Sequence, residues 1–201
     1  MEQWHLIVGL GNPGAEYART RHNAGFLVAE RLGQEWRADW RQEDRFRARM
    51  ARGQHAGQRW ILCQPQTFMN ASGEAVAAVS GFYRVPPALV LVVVDDADLP
   101  LGTLRLRSEG SSGGHHGLES VERCLGTQAY PRLRLGIGRR TEDGRQITGY
   151  VLGRFSRDEN AWLDAVLERA AAAAGCWLGD GVTVAMNRFN GAVTAPPTKD
   201  S

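Results

Sequence analysis

Two hydrophobic rhythms alternate along this chain. Residues 4–8 are a short apolar run that stops at glycines, the pattern of a buried strand followed by a tight loop. Residues 23–36 carry Phe26, Val28, Ala29 and Leu32 at helical spacing. Residues 46–51 alternate apolar side chains with Arg, predicting a half-exposed strand, and residues 59–64 predict another. Residues 75–83 read as helix. Residues 89–94, LVLVVV, are apolar on both faces, as in a central strand covered by helices. Strand spacing returns at 103–107 and 132–137, with helical spacing at 115–125 between them. Residues 156–178 predict a long helix that opens on the capping-box pair Ser156 and Glu159 and stops at Gly179 and Gly181; a short helix at 185–189 follows. Strands and helices in alternation around one apolar strand imply an α/β fold, a three-layer α/β/α single domain whose half-exposed strands make the central sheet mixed. Residues 1–193 are expected to form this domain and 194–201 a disordered tail.

Composition narrows the class. The chain has 201 residues, 43% of them hydrophobic, enough for a substantial core. No apolar run is long enough to span a bilayer, and the first residues show neither a basic region nor a cleavage site, so a cytoplasmic protein without a signal peptide is expected. Cys63, Cys124 and Cys176 are odd in number and far apart; they suit core positions better than disulfides or a zinc site. The formal charge is only +2, but it is unevenly spread. Residues 100–140 hold seven Arg against three acids, and residues 141–180 hold four Arg against seven. A basic middle fits a patch that faces phosphates.

Six segments carry candidate chemistry. Gly9-Leu10-Gly11-Asn12-Pro13-Gly14 matches GxGxxG after a strand. Pro13 breaks the chain where a phosphate-binding helix should begin, and no acidic residue ends a second strand, so a nicotinamide oxidoreductase is disfavoured. His22 has Asn12, Arg19, Arg21 and Asn23 close in sequence, pairing a titratable imidazole with amides able to bind a carbonyl. In PQTFMNASG, Asn70 or Ser72 would serve as a helix N-cap. Asp95 ends the most apolar strand, where α/β sheets bind ligands and where a carboxylate could orient a histidine; Asp96 and Asp98 read as solvated loop residues. The Gly-rich run Gly110–Gly117 enters a helix whose first N–H groups suit an anion or a carbonyl oxygen. Arg105 and Arg107 on one strand, with Arg132 and Arg134 on another, could pool into a phosphate clamp or simply coat solvated faces.

In order and spacing, VGLGNPG, Tyr17 with TRHNAG, PQTFMNASG, DDADLPLG, GSSGGHHGL and RLRLGIGR resemble the bacterial peptidyl-tRNA hydrolase family from about residue 6 to residue 187. The resemblance implies a monomeric α/β/α enzyme without cofactor or metal that cuts the ester joining a peptide to the 3′-terminal ribose of tRNA. By that likeness His22 is the general base, Asp95 its orienting carboxylate, and Asn12 and Asn70 the amides that bind peptide and oxyanion. Tyr17, Phe68 and Met69 would line the channel for the 3′ CCA end and the peptide, and Asn23 would contact tRNA. Arg107 and Arg134, assisted by Arg105, would hold the 5′ phosphate. The family usually has Asn where this chain has His116, a position associated with placing substrate or water. A relative that binds RNA without hydrolysis is the alternative.

Overall fold

The computed structural model describes residues 3–138 and 147–193; the expected tail at 194–201 lies outside the described residues. Eight strands form one sheet: β1 (Trp4–Gly9), β2 (Arg41–Glu43), β3 (Ala48–His55), β4 (Gln58–Pro65), β5 (Val90–Asp96), β6 (Thr103–Arg107), β7 (Arg132–Gly136) and β8 (Gly191–Ala192). Their spatial order is β2-β3-β4-β1-β5-β7-β6-β8. The four central strands β4, β1, β5 and β7 run parallel; β2, β3, β6 and β8 add antiparallel edges. The sheet is therefore mixed, as the half-exposed strands implied.

Helices cover both faces. α1 (Ala24–Glu35), α5 (Arg157–Asp180) and α6 (Val182–Phe189) pack on one side, around Ile7, Leu62, Leu91, Val93, Leu104 and Leu133. α2 (Ser72–Tyr83) and α3 (His116–Leu125) pack on the other, around Leu6, Val8, Ile61, Val92 and Val94. Successive residues of β1 and β5 thus feed opposite cores, the period-2 geometry expected of strands buried on both faces. A short helix, α4 (Ile147–Val151), precedes α5.

The glycines of the first motif serve packing. A Cβ on Gly9 would lie 2.1 Å from the Gly25 carbonyl oxygen, and one on Gly25 would lie 2.3 Å from that of Val93. α1 therefore sits almost on the sheet backbone, closer than any side chain allows. The long helix starts where the sequence placed it: Ser156 Oγ accepts from the Glu159 N–H, and the Glu159 carboxylate accepts from the Ser156 N–H at 2.6 Å. α2 is capped differently. Neither Asn70 nor Ser72 is its N-cap; that position is Ala71, and the Gly73 N–H donates to Ser120 Oγ of α3 at 3.0 Å. Cys63 is buried, and burial pushes its thiol up to about 12, whereas Cys124 and Cys176 are only partly covered.

β1 has β4 on one side and β5 on the other: the chain runs from β1 through α1, β2 and β3 to β4 in one half of the sheet, and from β4 through α2 to β5 in the other half. Such a reversal opens a crevice beyond the strand ends. The loops after β1, β4 and β5 and the start of α3 converge there.

Candidate active site

The crevice is a cavity of about 240 Å³ lined by Asn12, His22, Asp95, Asp96, His115, His116, Arg134, Val151 and Leu152, among others. His22 lies in a 3-10 turn, Arg21–Asn23, that leads into α1. Its Nδ1 is 2.9 Å from Asp95 Oδ1. The same oxygen is 3.1 Å from Nε2 of His115. The His115 tautomer follows from its other nitrogen: Nδ1 accepts the N–H groups of Gly117 and Leu118 at 3.1 and 3.3 Å. A nitrogen that accepts cannot carry the ring proton, so Nε2–H donates to Asp95. Burial pushes the Asp95 carboxyl up, but the bonds from His115 and His22 outweigh it and hold the group well below the usual carboxylate range. Asp95 is thus an anion, His22 Nδ1–H is its second donor, and His22 Nε2 keeps a lone pair.

The three side chains also form the one cluster of metal-ligand type among the described residues, with ligand atoms within 4.8 Å of one another. The tautomer argues against that use. The His115 nitrogen that faces the cluster holds a proton rather than a free lone pair, because its other nitrogen caps α3. The ring also occupies N–H groups at the helix start that the sequence offered to an anion.

Asn12 is nearly buried. Its Oδ1 accepts the Met69 N–H at 2.8 Å, tying the loop after β1 to the loop after β4. Its Nδ2 has no protein partner among the described residues, and Asn12 is one of the residues that line the cavity. Asn23 is placed differently from the expectation of a tRNA contact. It is 1% exposed, its Oδ1 accepts the Asn12 N–H at 2.9 Å, and its Nδ2 donates to the Asn12 carbonyl at 3.0 Å. Its amide is spent on the shape of the Asn12 loop.

The other expected residues divide. Asn70 is exposed in the turn after Met69 and is not among the residues lining the cavity; among the described residues only its carbonyl is engaged, by Arg123 at 3.5 Å. Met69 is buried against Leu10 and Gly117 rather than facing a channel: a Cβ on Gly117 would lie 2.5 Å from Met69 Sδ. Phe68 is 62% exposed beside it, and Tyr17 is half-buried. His116 opens α3 at the rim, its Nδ1 3.1 Å from Glu119 Oε2 and its side chain 74% exposed.

The four arginines share one face, since Arg105 opposes Arg134 and Arg107 opposes Arg132 across antiparallel strands. Two are already committed. Arg132 is buried, bonds the Gly110 and Gln128 carbonyls and Glu122, and lies 4.0 Å over the Tyr130 ring. Arg134 donates to Asp96 at 3.2 Å and to the Ser111 and Ser112 carbonyls at 2.9 and 2.8 Å. Asp96, read from the sequence as solvated, is buried by that pair. Arg105 and Arg107 are exposed and have no partner among the described residues. His115 went unrecognised as a site residue. The only signal was its place at a glycine-rich helix start, which does not say that the ring turns inward.

The sequence profile of the peptidyl-tRNA hydrolase family matches residues 6–198. The chain belongs to the peptidyl-tRNA hydrolase family. A peptidyl-tRNA hydrolase of Synechococcus sp. (strain JA-3-3Ab) is 52% identical over 185 residues, covering 92% of this chain and 82% of that one. One from Roseiflexus sp. (strain RS-1) is 49% identical, covering 96% and 87%. The crystal structure of peptidyl-tRNA hydrolase from Acinetobacter baumannii superposes with a TM-score of 0.89 at 36% identity, covering 96% of this chain and 97% of that one. Among the described residues no helix is long and apolar enough to cross a membrane.

Proposed function

We propose that this chain hydrolyses the ester between a peptide, or an N-blocked amino acid, and the 3′-terminal ribose of tRNA. The observation that carries the reading is the His22–Asp95 contact at 2.9 Å, which leaves the outer imidazole nitrogen facing a cavity. In this mechanism a water placed between His22 Nε2 and the ester carbonyl loses a proton to the imidazole as it attacks. Asp95 keeps the proton-bearing nitrogen inward and stabilises the imidazolium that forms. Asn12 Nδ2 donates to the carbonyl oxygen as it gains charge, its geometry fixed by the Oδ1 bond to Met69 N. The imidazolium then returns its proton to the leaving 3′ oxygen.

For the substrate, Phe68, exposed beside the Met69 turn that Asn12 ties down, and Leu152 on the cavity wall offer apolar surface to the terminal nucleotides and the acyl chain. Arg105 and Arg107, exposed and without partners among the described residues, are the phosphate-facing cations of the clamp; Arg134 serves by bracing the loop beside them. His116 replaces an amide at the rim with an imidazole held by Glu119, still able to offer one hydrogen bond. Retention of both His22 and Asp95 favours hydrolysis over RNA binding alone. A monomer acting in the cytoplasm is the setting that fits this reading.

The test is release of free tRNA from N-acetyl-aminoacyl-tRNA by the wild-type chain and by His22→Ala. Activity in the wild type and a loss of several orders of magnitude in the variant are expected. A His22→Ala chain that turns over normally removes the mechanism.

A further inference from the structure

The residue just before His22 is a buried cation. Arg21 NH2 lies 2.6 Å from Glu159 Oε2, and both residues are less than one-tenth exposed. The same Glu159 oxygen accepts the Ser156 N–H of the α5 capping box at 2.6 Å. The Arg21 guanidinium also donates to the Tyr150 carbonyl at 3.3 Å and stacks 4.3 Å from the Tyr150 ring centre and 5.5 Å from that of Phe155. Its backbone N–H donates to the Gly153 carbonyl at 3.0 Å, and Thr20 bridges to Arg154. A Cβ on Gly153 would come within 3.0 Å of the guanidinium. Arg21 is thus wrapped by residues 150–155, and that segment supplies Val151 and Leu152 to the cavity wall.

We propose that Arg21 and Glu159 form a positioning pair for the reaction: they lock the 150–155 segment against the His22 turn, so that the imidazole and the apolar wall keep one fixed separation. This rests on the reading of His22 as the base. The pair does not touch substrate. A buried pair is a costly way to hold two elements, and a helix cap alone needs only the Ser156–Glu159 contacts. What the pair adds is a directional link, since a guanidinium fork bonds in fixed directions.

Glu159→Gln separates the two jobs, because Gln at this position still completes a capping box while the charge pair is lost. With N-acetyl-aminoacyl-tRNA, kcat should fall about ten- to hundredfold in Arg21→Met and Glu159→Gln, the scale of a small misplacement at a reacting centre. KM should change much less, and Arg21→Lys should recover part of the loss. The double variant should be no worse than Arg21→Met. The His22 ring resonances, read by NMR without substrate, should move in each variant. Glu159→Gln with wild-type kcat, or losses that vanish below the melting transition of each variant, would overturn the pair. If the wild-type chain released no tRNA, the proposed reaction would fail, and the resonances would still decide the pair: moved, it stands; unmoved, it falls.

Discussion

Asp95→Asn should lower kcat by about ten- to a hundredfold while leaving fold and KM nearly unchanged. In the native site one carboxylate oxygen accepts from His22 Nδ1 and from His115 Nε2. An amide at this position has two orientations. With its nitrogen toward the rings, it would face the His115 N–H donor to donor, and His115 cannot switch tautomer because its Nδ1 already accepts from Gly117 and Leu118. The amide therefore keeps its oxygen toward both rings, and the His22 tautomer survives. What is lost is the negative charge opposite the imidazolium. Hydrogen bonds to charged groups contribute about 1.5–3 kcal/mol against roughly 1 for neutral ones, so one such bond weakened in the transition state costs about 1–2 kcal/mol, or about five- to thirtyfold; the lost charge itself carries the effect toward the upper bound. His115→Ala alone should cost little, since the carboxylate can still accept from His22. In the Asp95→Asn background the same change frees the amide to flip and present N–H to His22, stripping Nε2 of its lone pair, so the loss should deepen by at least another order of magnitude. Initial rates on N-acetyl-aminoacyl-tRNA for the four chains provide the cycle. If His115→Ala costs the same in both backgrounds, His115 does not set the amide orientation.

Four further outcomes follow from the same geometry. Because the Asp95 carboxyl is held below its ordinary value, its contribution to stability is complete above the unfolded value of about 3.9 and fades as pH falls through and below it; the melting temperature should drop more steeply on acidification in the wild type than in Asp95→Asn, and parallel curves would contradict the assignment. Asn23→Ala leaves the Asn12 N–H and carbonyl without their buried partners and should cost about 2–4 kcal/mol in denaturant unfolding, with activity falling as well. Gly25→Ala forces a methyl against the Val93 carbonyl and should destabilise by about 3 kcal/mol or more by calorimetry. Arg107→Ala should weaken tRNA binding and reduce the slope of log affinity against log salt by about 1, with kcat at saturation retained; an unchanged slope would remove Arg107 from the phosphate contacts.

Much of the fold was legible because burial on both sheet faces imprints plain patterns: LVLVVV for β5, the capping box for α5, glycines for the tight loop that ends β1. The short edges β2 and β8 and the one-turn helix α4 were not, since too few residues repeat in each to set a period. At the site, His22 and Asp95 were readable from residue type and position, but the fate of amides and guanidinium groups was not. Asn23 looks like a ligand residue until its two bonds to Asn12 are seen. Arg132 and Arg105 share an alternating Arg pattern, yet one ends buried over Tyr130 and the other in solvent. Local sequence reports which face a side chain leaves from; only the fold decides whether a carbonyl is waiting there.

The β3–β4 hairpin turns at Ala56 and Gly57, both with left-handed backbone, at the edge of the sheet remote from the carboxyl ends of the parallel strands. Because β4 must run its whole length before reaching the Met69 turn, that tip is a handle rather than a lever. A fluorophore, an affinity peptide or a surface tether grafted there would leave the chemistry undisturbed, which makes it the natural point of attachment for watching single molecules engage their substrate.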